Sequence, residues 1–144
     1  MSEQEQVNQF MTRCRAHRLN VTPQRLAIFK AVIGDKSHPN PEAVFSKIKR
    51  ENPTISLATV YKTLETFQRN SIISLVTNLH DTLRYDARTD LHHHMICNVC
   101  KKVIDVYDND LNRLAIPKSV TGNHKLLSFG VHFDIICSEC SSKN

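Results

Sequence analysis

The chain has 144 residues, 6% aromatics, no tryptophan and a formal charge of +5. That length suits one medium domain or two small ones, and no apolar run approaches the ~20 residues of a membrane helix, so no membrane partner is expected. Scarce aromatics leave little with which to stack single-stranded bases, and the polar stretch Met1 to Phe10 lacks the apolar core of a secretory signal, so the expected location is cytoplasmic.

The charge is uneven. Residues 1–87 carry 12 Lys+Arg against 8 Asp+Glu, and residues 88–144 carry 7 against 6. A phosphate-facing surface would sit in the first part. The composition shifts near Asp86 to Leu91: the two Cys-x-x-Cys pairs and five of the eight histidines lie beyond it. Two domains are therefore expected, residues 1–86 and 87–144.

The first domain reads as helices. Glu3 to Arg18 forms a polar opening helix. Thr22-Pro23 supplies an N-cap with proline at the first helical position, and the helix runs through Leu26, Ile28, Phe29 and Val32 to a stop at Gly34. Asn40-Pro41 repeats that start signal for a helix striped with Val44, Phe45 and Ile48, and Pro53 ends the unit. Ser56 caps the third of these capped helices, where Leu57, Val60, Leu64 and Phe67 make one apolar face. Two strands follow, Ile72 to Val76 and Leu83 to Asp86, joined by the polar turn Thr77-Asn78-Leu79-His80-Asp81.

Helices followed by a two-stranded ribbon describe a winged helix-turn-helix, with the Ser56-capped helix in the major groove of double-stranded DNA. Burying its apolar face turns Thr59, Lys62, Thr66 and Arg69 outward, with Tyr61 on the flank. Those side chains suit phosphate and base-edge contacts. A plain three-helix bundle with a solvated polar face fits the same pattern.

The second domain reads as short strands around one helix. Leu91 to Ile96 and Lys102 to Tyr107 flank the first cysteine pair, Asn109 to Ile116 forms a helix ended by Pro117, and Val131, Phe133 and Ile135 alternate into the second pair. The fold class is thus α+β.

Cys97-x-x-Cys100 and Cys137-x-x-Cys140 supply four thiolates, the donor set of a closed tetrahedral zinc site. A closed site serves structure and not hydrolysis. In a cytoplasmic chain with no thioredoxin-like βαβ pattern around either pair, disulfides or redox chemistry are the weaker reading. Zinc would contribute on the order of 10 kcal/mol to a domain too small for a generous core. The fifth cysteine, Cys14, reads as a buried, inert thiol.

His92-His93-His94 points to a second metal. Strand alternation puts His92 and His94 on one face, and His93 on the other with Cys97. Asp86, Asp105 and His38 are the candidates to complete that site, and nitrogen and carboxylate donors favour Fe2+, Mn2+ or Zn2+. A zinc hydrolase would need an open position beside a general base; no His-Glu-x-x-His motif is present, so no enzyme is expected.

Thr22-Pro23-Gln24-Arg25, His38-Pro39, Ser56-Leu57-Ala58-Thr59-Val60-Tyr61, Arg84-Tyr85-Asp86, His92-x-His94-x-x-Cys97-x-x-Cys100 and Cys137-x-x-Cys140 stand in the order seen in the ferric uptake regulator family. The resemblance spans essentially the whole chain. It implies a homodimeric, metal-dependent transcriptional repressor whose winged helix binds palindromic operator DNA and whose C-terminal domain dimerises. It assigns the regulatory ion to His38, Asp86, His92, His94 and Asp105 and the structural zinc to the four paired cysteines; the candidate DNA contacts on the capped helix are Ser56, Thr59, Tyr61, Lys62 and Arg69. Aspartate at both carboxylate positions most resembles the peroxide-stress branch, in which Fe2+-catalysed oxidation of a ligand histidine signals hydrogen peroxide. The vulnerable residues would be His38 and His92, and Mn2+ would fill the site without that chemistry. An iron- or zinc-responsive repressor is the alternative within the family. The chain departs from its pattern where Lys101 and Ile136 stand in place of the usual glycine, and along the stretch Ser128 to Asp134. His93, His124 and His132 are candidates for an additional site, as in some relatives.

Overall fold

The computed structural model describes residues 1–77 and 83–143. It divides into two compact units, Met1–Thr89 and Asp90–Asn144.

In the first unit the helix boundaries are set by local chemistry. Helix α1, Glu3–Ala16, begins with a capping box: Ser2 Oγ accepts from the Glu5 amide at 3.2 Å and Glu5 Oε2 accepts from the Ser2 amide at 2.6 Å. Helix α2, Pro23–Ile33, and helix α3, Pro41–Ile48, are capped by Thr22 and Asn40, each followed by proline. Helix α4, Leu57–Arg69, starts where Ser56 Oγ accepts from the Thr59 amide at 3.1 Å. Helix α2 ends at Gly34 as expected, although Gly34 keeps an ordinary right-handed φ of −77°.

The core forms where the apolar stripes meet. Phe10 of α1 stacks on Phe29 of α2 at 4.2 Å and meets the edge of Phe67 of α4 at 5.3 Å. Cys14 is fully buried in this cluster, and burial raises its pKa, as befits an inert thiol. Ile72 and Ile73 belong to the core and not to the ribbon: strand β1 starts later than expected, at Ser74–Thr77. It pairs antiparallel with β2, Arg84–Asp86, in the register Ser74 to Asp86 and Leu75 to Tyr85, with an irregularity before Thr77. Of the polar turn expected at 77–81, residues 78–81 lie outside the described residues.

The second unit is built on strands β3, His93–Cys97, β4, Val103–Val106, and β5, His132–Ile135, in the order β4-β3-β5. β3 is antiparallel to β4 and parallel to β5. The crossover between β4 and β5 holds two single turns, α5 at Asn109–Asn112 and α6 at Lys118–Thr121. The helix expected to reach Ile116 therefore stops early. Asp108 caps it well, but Leu114 is left exposed, and a short helix without an apolar face to bury does not propagate. Pro117 does not end that helix; it stands at the N-cap of α6. A last turn, α7, covers Ser138–Ser141. The unit's buried apolar set is small: Ile96, Cys97, Val103 and Cys137. No described helix is long and apolar enough to cross a membrane.

Candidate metal centres and nucleic-acid face

Because β3 and β5 run parallel, both deliver their chains to the same end of the sheet. Cys97 closes β3, Cys100 follows in its turn, Cys137 is the N-cap of α7 and Cys140 lies one turn on. The four sulfurs lie within 4.8 Å of one another, and Cys100 Sγ stands 3.8 Å from Cys137 Sγ. Tetrahedral Zn–S bonds of about 2.3 Å place sulfurs about 3.8 Å apart, so the set fits zinc. All five cysteines are free of disulfides. Main-chain donors polarise the cluster: backbone N–H groups of Cys100 and Cys137 draw the Cys97 thiol down to about 6. Hydrogen bonding to Cys137, followed by burial, pushes Cys140 up to about 12.

The two departures from the glycine pattern resolve differently. Lys101 has φ +62°, the left-handed conformation that glycine adopts freely, and the turn closes with the Lys101 amide on the Cys97 carbonyl at 2.9 Å. The Lys101 ammonium donates to the Asn98 carbonyl at 2.8 Å. Ile136 is not among the residues of positive φ, so nothing in its backbone requires glycine.

Within each unit a histidine and a carboxylate are brought together. In the first, His38 and Asp86 are both buried, with Nε2 3.3 Å from Oδ2. His38 has φ +60°, at a cost of about 1–2 kcal/mol for a residue with a Cβ. Asp86 ends β2 and its Oδ1 accepts from the Arg88 amide at 2.8 Å. In the second, His94 and Asp105 are cross-strand partners of β3 and β4, with Nε2 3.3 Å from Oδ1. His92 Nε2 lies 3.6 Å from the same carboxylate oxygen. Its Nδ1 is 2.8 Å from the Asp90 carbonyl, which can only accept, so Nδ1 carries a proton and the lone pair of the neutral ring is on Nε2. Tyr107 stacks on the His92 ring at 5.4 Å. Adjacent ligands on an octahedral ion with bonds of about 2.1 Å lie about 3 Å apart, so each pairing matches a hard, borderline cation.

His93 takes the opposite face, as alternation requires. It is fully buried; its Nδ1 accepts from the Val131 amide at 3.0 Å and its Nε2 faces Asn112 Oδ1 at 2.9 Å. Both ring nitrogens are occupied. His124 is exposed and His132 pairs with Asp134 at 3.1 Å. The additional site weighed for His93, His124 and His132 is thus not assembled among the described residues, because His93 serves the core.

On α4, Val60, Thr63, Leu64 and Phe67 face inward; Thr63 is a buried position that the apolar pattern does not reveal. Lys62 and Arg69 are exposed, and Arg69 pairs with Glu65 at 2.8 Å. Ser56 and Thr59 are hydrogen bonded to one another at the cap, at 2.9 Å. Tyr61 donates its hydroxyl to Glu42 of α3, an interaction that raises the Tyr61 pKa. Thr59, Tyr61 and Lys62 line a groove of about 630 Å³ with Leu75, Leu83 and Tyr85 of the ribbon. Sequence reasoning did not single out Glu42, Asp35 or Tyr107. Only Asp35 carries a local signal, the Asp-x-Ser turn with Ser37.

The ferric uptake regulator family model matches residues 16–133. The chain is 31% identical over 130 residues to the peroxide operon regulator of Bacillus subtilis, covering 87% of this chain and 86% of that one. It is 30% identical over 130 residues to the peroxide-responsive repressor PerR of Staphylococcus aureus, covering 87% and 84%. The ferric uptake regulator Fur of Helicobacter pylori, 23% identical, shares the fold with a TM-score of 0.76 over 98% of this chain and 95% of that one. Family model, relatives and fold agree with the winged helix-turn-helix and the four-cysteine cluster. The chain belongs to the ferric uptake regulator family and is a metal-responsive, DNA-binding transcriptional regulator, not an enzyme.

Proposed function

We propose that this regulator is a peroxide-sensing repressor that binds palindromic operator DNA as a homodimer. Its regulatory ion, Fe2+ or Mn2+, takes His38, Asp86, His92, His94 and Asp105 as ligands, and its structural zinc takes Cys97, Cys100, Cys137 and Cys140. The observation that carries this reading is that each of two aspartates, Asp86 and Asp105, stands 3.3 Å from an imidazole nitrogen of its own unit. The names of the similar curated proteins, peroxide-responsive repressor and peroxide operon regulator, support the same branch.

The residues divide the work. When bound, Fe2+ supplies the one-electron reduction of hydrogen peroxide. Asp90 and Tyr107 fix the His92 ring with Nε2 toward Asp105. Oxidation of His38 or His92 removes a basic nitrogen from the ligand set and weakens the ion's hold. Loading of the ion is proposed to switch the protein between a state that does not bind the operator and one that does, with residues 1–86 as the DNA-binding domain and residues 87–144 as the dimerisation domain. Moving such an equilibrium from 1:99 to 99:1 takes about 5.5 kcal/mol of differential binding.

Two surfaces support the partners. Ser56, Thr59, Tyr61, Lys62 and Arg69 mark the end and outer face of α4, where a recognition helix meets base edges and phosphates. In the second unit Leu114, Val120, Leu126, Leu127, Phe133 and Ile136 are exposed beside a small core, and a second copy would cover such residues. A cytoplasmic location follows from operator binding.

The test is a gel shift on genomic operator fragments with Mn2+, Fe2+ or Zn2+, with and without peroxide. The expected result is a shift with Mn2+ or Fe2+, loss of the Fe2+ shift alone after peroxide, and an added oxygen on His38 or His92 by mass spectrometry. A shift that needs Zn2+, or an Fe2+ shift that survives peroxide with unmodified histidines, would overturn the peroxide reading in favour of a zinc- or iron-responsive repressor.

A further inference from the structure

The main chain of the turn that carries His38 is held by residues of strand β2. Arg84 Nη1 lies 3.2 Å from the His38 carbonyl and 3.4 Å from the Ser37 carbonyl. One residue on, the Tyr85 amide donates to the Pro39 carbonyl at 3.2 Å. Consecutive carbonyls point apart in extended backbone and converge when the residue between them is helical in sense. His38, at φ +60°, is such a residue, so one guanidinium nitrogen reaches both. From the other side Asp35 Oδ1 accepts from the Ser37 amide at 2.9 Å, and Asp35 Oδ2 pairs with Lys47 of α3 at 2.6 Å.

Strand periodicity makes this a single device. Arg84 and Asp86 are two apart on β2 and share a face. Arg84 holds the backbone of the His38 turn while Asp86 meets its ring, 3.3 Å away. We infer that Arg84 is a positioning residue of the regulatory site: it holds His38 in its left-handed conformation, so that this half of the ligand set is formed before the ion arrives. The inference rests on the proposed assignment of His38 as a regulatory ligand. Lysine would replace arginine only in part: an ammonium can also meet two carbonyls, but its flexible stem lacks the pre-organised planar head that keeps a guanidinium nitrogen in place.

The test is a double-mutant cycle read by Mn2+ titration of the zinc-loaded protein. Arg84→Ala should weaken Mn2+ binding by about 10- to 100-fold, the usual loss when a residue that orients a ligand is removed. Combined with His38→Ala, the same change should cost nothing further, because no imidazole is left to position. Zinc content and the thermal midpoint are measured for every variant, and Arg84→Lys, expected to lose affinity to an intermediate degree, serves if the alanine variant does not fold. Unchanged Mn2+ affinity in Arg84→Ala or Arg84→Lys overturns the inference. So does a loss that persists undiminished without His38, since that marks a general effect on the fold. If His38→Ala itself leaves Mn2+ affinity unchanged, the assignment of His38 fails first, and the inference fails with it.

Discussion

Lys101 tests whether the left-handed turn of the first zinc knuckle is a cost that the chain carries. Its φ of +62° places a Cβ where about 1–2 kcal/mol is lost relative to glycine. Glycine in turn loses more backbone entropy on folding, about 0.5–1 kcal/mol. The ammonium contact with the Asn98 carbonyl, at 2.8 Å on the surface, is worth about half a kcal/mol at most. Lys101→Gly should therefore be neutral to slightly stabilising. Lys101→Ala loses the contact and keeps the strain, so it should destabilise. The difference between the two variants cancels the lost contact and comes to about 1 kcal/mol, or about 2–4 °C in midpoint for a chain of this size. Thermal unfolding of the zinc-loaded proteins, with retention of zinc against a chelator as a second measure, reads it directly. A glycine variant no more stable than the alanine variant would refute the claim that backbone strain resides at this turn.

Three further outcomes follow from the packing and the charges. Cys137→Ser should release zinc and unfold the second unit, detected by metal analysis and by collapse of amide protection in residues 90–143, while the α1–α4 core keeps its protection. Phe10→Ala removes a ring packed against Phe29 and Phe67 and should cost about 3–5 kcal/mol in denaturant unfolding. Burial pushes the Asp35 carboxyl up, but Lys47 and Ser37 outweigh it and hold the group down to about 2. A depressed carboxylate contributes stability in full above its unfolded value of about 3.9 and loses it as pH falls through about 2. Asp35→Asn should thus lower stability at neutral pH and flatten its decline between about pH 4 and 2, measured as the unfolding midpoint against pH.

What was legible in the sequence was what neighbours along the chain decide. Thr22, Asn40 and Ser56 cap helices through amides three residues on, so each start is written within one turn. Alternation along an extended backbone separates His93 from His94 without reference to anything else. What was not legible depends on residues far away. The role of His93 is decided by Asn112 and Val131, 19 and 38 positions distant. Ile72 and Ile73 fit a strand by propensity but are taken into the helical core. The early end of α5 reflects the absence of an apolar surface to pack on, which no local pattern records. The contacts that hold the His38 turn join positions 46 and 47 apart. The ligand residues of the candidate site were therefore readable as types and spacings, whereas the groups that orient them were not.

Under the proposed ligand assignment, the three consecutive histidines separate the donors for two metals. Cys97 shares a face of β3 with His93, while His94 pairs across the sheet with Asp105 on the other face. The sulfur donors suit zinc and the nitrogen and carboxylate donors suit a harder ion, so an exchange of ions would already be disfavoured by softness. His93 is the one residue that could blur the division, being an imidazole on the sulfur side. Its Nδ1 accepts the Val131 amide and its Nε2 meets Asn112, so neither lone pair nor ring proton is offered to a metal. His92 and His94 are then the neighbouring imidazoles proposed to hold the exchangeable ion.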